Sequence, residues 1–97
     1  MTPLIEGAGA GVTGTGLQIN DNDAQMIVRA DTWDTGSITI QTRANGNWIN
    51  IPGMTFTADE ERLYQGHAGQ YLRAVTSAGS LMAGAAVYVG QRLASDS

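Results

Sequence analysis

Apolar and polar residues alternate most clearly between Ser37 and Ile51, around the pair Asn45-Gly46. An Asn-Gly pair flanked by alternating apolar residues marks a two-residue hairpin, because a type I′ turn needs positive φ at both central positions. The turn sets the register. Ala44 faces Asn47, Arg43 faces Trp48, Thr42 faces Ile49, Gln41 faces Asn50 and Ile40 faces Ile51. Ile38, Ile40, Ile49 and Ile51 then share one side with Thr42, and Arg43, Trp48, Gln41 and Asn50 share the other. A slip of one residue would mix the two sides, so the pattern itself supports the register. Pro52, which has no N–H for a ladder, is expected to end the second strand.

The same alternation recurs along the chain. It begins at Leu17-Gln18-Ile19, breaks at the polar turn Asn20-Asp21-Asn22-Asp23, and resumes from Gln25 to Ala30 with Met26, Val28 and Ala30 on one face. Asp31 to Gly36 turns into the hairpin. Met54 and Phe56 define a further short strand, and Ala58-Asp59-Glu60-Glu61 is an acidic cluster with room for one helical turn. Gln70 to Thr76 sets Leu72, Ala74 and Thr76 against Tyr71, Arg73 and Val75, and a last strand from about Ala83 to Gln91 places Ala85, Val87 and Val89 together. Short strands with turn signals roughly every 8–12 residues, and no sustained helical period, predict an all-β fold. The expected architecture is an antiparallel β-sandwich or jelly roll of seven to eight short strands; a small up-and-down barrel shares the same periodicity.

Ahead of this pattern, five of the ten residues from Gly7 to Gly16 are glycine, which excludes a stable helix. Residues 1–16 are read as an extended glycine-rich N-terminal arm and residues 17–97 as the sandwich domain. Such an arm lies against its own domain or against a neighbouring chain. The neighbour is preferred, which makes Gly7, Gly9, Gly11 and Val12 candidate partner contacts.

Length and charge narrow the function. A chain of 97 residues makes one domain with a single modest core. Cysteine is absent, so neither disulfides nor thiolate metal sites are available. The net charge is −4 and all five basic residues are arginine, which argues against a basic nucleic-acid stripe. Only 14% of residues are charged, against about a quarter in ordinary soluble domains, a surface suited to lasting contacts with other subunits. Met1-Thr2-Pro3-Leu4 lacks the features of a signal peptide, and the most apolar stretch, Leu81 to Val89, is too short and Gly-interrupted to cross a bilayer. Synthesis in the cytoplasm, without membrane contact, is the expectation.

Candidate chemistry is sparse. His67, the single histidine, sits in a Gly-His-Ala-Gly turn with no serine elbow to complete a Ser-His-Asp relay, and reads as a turn residue. Asp59, Glu60 and Glu61 are adjacent and cannot flank a scissile bond as a glycosidase pair does. Asp21, Asp23, Asp31 and Asp34 offer oxygen donors suited to calcium but lack EF-hand spacing. The glycine spacings of the arm have no strand before them or helix after them, as a dinucleotide fingerprint requires. No enzyme activity, cofactor or metal is therefore expected. Trp48, turned outward beside Arg43, is within reach of a cation–π contact. It is covered by the second sheet, contacts another subunit, or serves as a platform for a sugar ring. Trp33 reads as a lid over one sandwich end or, with Trp48, as part of a glycan-binding module.

Several segments carry a resemblance. Ile38-Thr39-Ile40-Gln41, Asn47-Trp48-Ile49, Phe56-Thr57-Ala58-Asp59, Gln70-Tyr71-Leu72-Arg73-Ala74-Val75 and Val87-Tyr88-Val89 resemble small β-sandwich virion proteins of tailed bacteriophages, over about Gln25 to Leu93. The arm before Leu17 lies outside the shared pattern, and the turn here has one glycine where relatives often carry a longer loop. The resemblance implies a non-enzymatic structural protein on the virion. A capsid decoration or head-fibre protein is favoured over a tail or fibre component, with the arm threaded along the shell. Its implied partners are copies of itself, commonly in a trimer, and the major capsid protein or another virion protein.

Overall fold

The computed structural model describes residues 2–19 and 23–91. Eight strands follow in order: β1 (Thr2–Ala8), β2 (Leu17–Gln18), β3 (Asp23–Arg29), β4 (Ile38–Ala44), β5 (Asn47–Phe56), β6 (Glu60–Gln65), β7 (Tyr71–Thr76) and β8 (Ala85–Gln91). They form two four-stranded antiparallel sheets, ordered β1-β8-β3-β6 and β2-β7-β4-β5, here sheets A and B. The all-β sandwich is the architecture that the alternation predicts. Its core is built from the inward positions of each strand, among them Met26 and Val28, Ile38 and Ile40, Leu72 and Ala74, and Val87 and Val89. Burying each large apolar side chain of this kind contributes about 1.5–3 kcal/mol.

The hairpin keeps its expected register from Ala44↔Asn47 to Gln41↔Asn50, with Asn45 at φ 52° and Gly46 at φ 81°. Beyond Asn50 the expectation fails. Thr39 faces Thr55, so residues 51–54 bulge opposite Ile40 alone, and Ile40 does not face Ile51. Pro52 does not end the strand either: β5 runs through it to Phe56. The strand lies at a sheet edge, where a missing donor disrupts no ladder, and Gly53 takes the left-handed φ of 77° that the bulge requires. The bulge re-aims the chain so that Met54 and Phe56 enter the core. The hairpin tip projects past the core and leaves Ile49 49% exposed.

The first sixteen residues depart most from expectation. Thr2–Ala8 is a strand of the sandwich, paired with β8, and buries Leu4, Ile5 and Ala8 in the core. The following glycines carry the chain across to sheet B. Gly11 N donates to Ser77 O (3.0 Å), Val12 N to Thr76 Oγ1 (2.8 Å), Thr76 N to Val12 O (2.9 Å) and Gly14 N to Ala74 O (2.8 Å). The buried Thr76 hydroxyl donates in turn to Gly9 O at 2.7 Å. The segment is therefore laid along its own domain, and the boundary expected after residue 16 falls within a continuous sandwich.

The acidic cluster forms no helical turn; Glu60 begins β6, which pairs with β3 without a register break from Asp23↔Gln65 to Val28↔Glu60. Arg62 reaches from β6 to the opposite sheet. Its Nη1 donates to Gly53 O (2.6 Å), its guanidinium lies 5.0 Å from the centre of the Phe56 ring, and it pairs with Glu60. The glycine crossover joins the sandwich on one side and Arg62 bridges it on the other.

Candidate docking face

Sheet A packs against the Ile38–Ile40 side of sheet B, which leaves the other side uncovered by protein among the described residues. Trp48 from β5, Gln41 and Arg43 from β4, and Arg73 from β7 stand on this outer side. Register makes neighbours of Arg43 and Trp48, of Gln41 and Asn50, and of Gln41 and Arg73. Gln41 Nε2 donates to Asn50 Oδ1 (2.8 Å), and Arg73 Nε donates to Gln41 Oε1 (2.7 Å). So oriented, the Arg73 guanidinium lies 4.5 Å from the centre of the Trp48 ring. The expected Arg43 stack is replaced by this one, and Arg43 is left exposed. The reason is the third strand: β7, which carries Arg73, lies outside the hairpin and its local pattern, and Gln41 of β4 aims Arg73 at the ring. A cation–π pair of this kind contributes about 0.5–1 kcal/mol at an exposed site.

Gly16 completes the seat of Trp48. A Cβ at that position would stand 3.1 Å from both Cζ2 and Cη2 of the indole, so the ring edge rests against the glycine backbone. Trp48 is held half-buried by these contacts and not by the second sheet. Sequence reasoning missed Arg73, Gln41 and Gly16 as its supports; the outward alternation of Tyr71 and Arg73 was the available signal.

The two sheets also differ in charge. The strands of sheet B contain Arg43 and Arg73 and no carboxylate, whereas those of sheet A carry Glu6, Asp23, Glu60 and Glu61 against Arg29 and Arg62. A chain that is acidic overall thus presents one sheet that is purely cationic.

The remaining candidates are dispersed. Gly7, Gly9, Gly11 and Val12 lie at the end of β1 and in the crossover, where the backbones of Gly9, Gly11 and Val12 bond to the end of β7. Trp33 precedes β4 and Trp48 faces the far end of that strand, so the two tryptophans do not form one platform. Trp33 packs on the core as the lid that its loop position suggests, its Nε1 donating to Asp59 Oδ1 at 2.7 Å. His67 is exposed in a turn closed by Gln70 N donating to His67 O. Buried Gln70 bridges the sheets, its Nε2 donating to Tyr64 Oη (2.7 Å) and Thr42 Oγ1 (2.8 Å). Among the described residues no three His, Asp or Glu side chains converge on a metal-sized site; Asp21 lies outside them.

Two carboxylates tie loops at the β3–β4 end. The Trp33 indole N–H, then the Ala30 amide, hold Asp59 below the ordinary carboxylate range. The Leu81 and Thr35 amides do the same for Asp34. A depressed folded-state pKa stabilises the fold above the unfolded value of about 3.9 and loses that contribution as pH falls through the folded value. Thermal unfolding followed from pH 7 to pH 2 will therefore show Tm falling below about pH 4. The fall will be shallower in Asp34→Asn/Asp59→Asn, which keeps the acceptor oxygens but has no charge to lose; an unchanged slope would refute this role.

Compared with known protein families, curated proteins and solved structures, the chain has no match.

Proposed function

We propose that the chain is a non-enzymatic structural protein of a phage particle, of the capsid decoration type, that docks through the outer side of sheet B. The observation that carries the docking face is the stacked Trp48–Arg73 pair on a sheet without carboxylates. Tryptophan, tyrosine and arginine are the residues over-represented at the energetic centres of protein interfaces. Trp48 and Arg73 are already held by Gly16 and Gln41, so less side-chain freedom is lost on association. Exposed Arg43 and this cationic sheet suit a shell surface bearing carboxylates, such as one on a major capsid protein. The virion role itself rests on the resemblance of the Gln41, Trp48 and Tyr71-to-Val75 segments. Attachment is assigned to this face and not to a free arm, because Thr2–Ala8 is built into the core.

The test uses purified particles of the parent phage. The chain is expected among their proteins, and particles stripped of it should rebind the added wild type. Trp48→Ala should weaken rebinding about 30-fold, the effect of losing a central anchor worth about 2 kcal/mol. Arg43→Glu should weaken it most at low salt, with circular dichroism unchanged for both variants. Absence of the chain from purified particles would sink the virion role; full rebinding by Trp48→Ala would sink the docking face. The amides of Gln41 and Asn50 beside the indole also support a second reading, glycan binding. Trp48-dependent glycan-array signals without particle binding would favour it.

A further inference from the structure

A sandwich has four sheet edges, and here they are not alike. β1 carries Pro3 and Gly7 and breaks register twice along β8. β2 has two residues. β5 carries Pro52, Gly53 and the bulge opposite Ile40. Prolines, bulges, extreme shortness and charged side chains are among the devices by which sheet edges avoid pairing with other chains. β6 has only the last of these, in Glu60, Glu61 and Arg62: six residues, Glu60–Gln65, without proline or glycine, in unbroken register with β3. Its inward charges, Arg62 and Glu60, pair with each other, and Arg62 is turned back onto its own sandwich by Gly53 and Phe56 and does not project over the edge. On the outer side its central residue, Leu63, is 45% exposed.

The geometry points to β6 as the site where a second copy of this chain adds, antiparallel across a two-fold axis at Leu63, to join two A sheets into one of eight strands. The register follows from the side chains. Pairing centred on Leu63 sets Leu63 against its symmetry mate, Glu61 against Gln65 and Arg62 against Tyr64, so no like charges meet. Centring on Arg62 would oppose two guanidinium groups and set Leu63 against Glu61. Centring on Tyr64 would set Leu63 against Gln65 and run the pairing into the Gly66-His67 turn. A self-complementary patch of this kind closes on itself as a dimer, in place of the trimer that the resemblance implies. Because sheet A supplies the contact, the docking face on sheet B stays free, and the dimer stands or falls independently of the virion role.

The chain has no cysteine, so Leu63→Cys supplies a single thiol per copy. Directly opposed residues of antiparallel strands have Cα atoms about 4.5–5.5 Å apart, within the span of a disulfide. Under mild oxidation Leu63→Cys should convert to a linked dimer at least tenfold faster than Leu81→Cys, since pairing raises the effective thiol concentration to about the millimolar range. Leu81 is the control because it is 80% exposed, well beyond Leu63. By sedimentation equilibrium the wild type should show twice the chain mass, and Leu63→Lys, which opposes two ammonium groups at the axis, the mass of one chain with unaltered circular dichroism. A wild type of one-chain mass, crosslinking at position 63 no faster than at 81, or a doubled mass retained by Leu63→Lys would each overturn the assignment.

Discussion

Removing residues 1–8 is expected to abolish cooperative folding. The deletion takes Leu4, Ile5 and Ala8 out of the core and strips β8 of one neighbour, exposing the edge that carries Val87 and Val89. Burial of one leucine and one isoleucine contributes about 1.5–3 kcal/mol each. The void they leave and the unpaired ladder add to the loss, which brings it to about 5 kcal/mol or more, against a total of about 5–15 kcal/mol for a domain. Urea titration followed by near-ultraviolet circular dichroism and amide chemical-shift dispersion will show no sharp transition and collapsed dispersion. A truncated chain that unfolds cooperatively within about 1 kcal/mol of the full chain would mean that β1 is a dispensable arm after all.

Substituting Gly14 is the most damaging single change expected in the crossover. Its N–H donates to Ala74 O at 2.8 Å in sheet B, while its Cα faces the carbonyl of Leu4 in sheet A. A Cβ here would run into the Leu4 carbonyl oxygen and stand 3.1 Å from that of Ala74. Both obstacles are backbone, so no side-chain rotation relieves them, and one of the two sheets must shift. Gly14→Ala should cost about 3 kcal/mol, at the upper end for overpacking, and lower Tm by more than about 10 °C. Gly9→Ala is the internal comparison. Its Cβ would meet Met82 O at 3.6 Å, an ordinary contact, and stability should change by less than about 0.5 kcal/mol. Equal effects at the two positions, measured by thermal unfolding, would refute the close-approach argument.

The same contrast explains why composition hides the strand in the N-terminal segment. Glycine content alone describes a flexible linker and cannot distinguish one from a chain that needs glycine to pass between two sheets. Leu4 and Ile5 are adjacent, so they do not alternate as a half-buried strand does; the register irregularities of β1 beside β8 allow both to be buried. The bulge at residues 51–54 was hidden for a related reason. Pro52 marks the end of a central strand but is tolerated at an edge, and whether a strand lies at an edge is a property of the sheet.

Candidate sites divide in the same way. The outward placement of Trp48 was legible because the Asn45-Gly46 turn sets register over a few residues on each side. Its stacking partner was not, since Arg73 is 25 positions further along the chain and reaches the ring only because β7 lies beside β4. Asp59, read as part of an acidic cluster, receives the Trp33 indole N–H across a comparable gap in sequence.

By itself the sequence determined what depends on near neighbours: the all-β class, the faces of β3, β7 and β8, and the hairpin turn. Side-chain alternation has a period of two and turn chemistry acts over about four residues, so both are written in contiguous stretches. Tertiary structure alone decided that the first strand belongs to the core, which strands lie at edges, which arginine covers Trp48, and that the carboxylates spare sheet B. Each of these depends on strand order, and strand order is set by the joint burial of apolar faces contributed from distant parts of the chain.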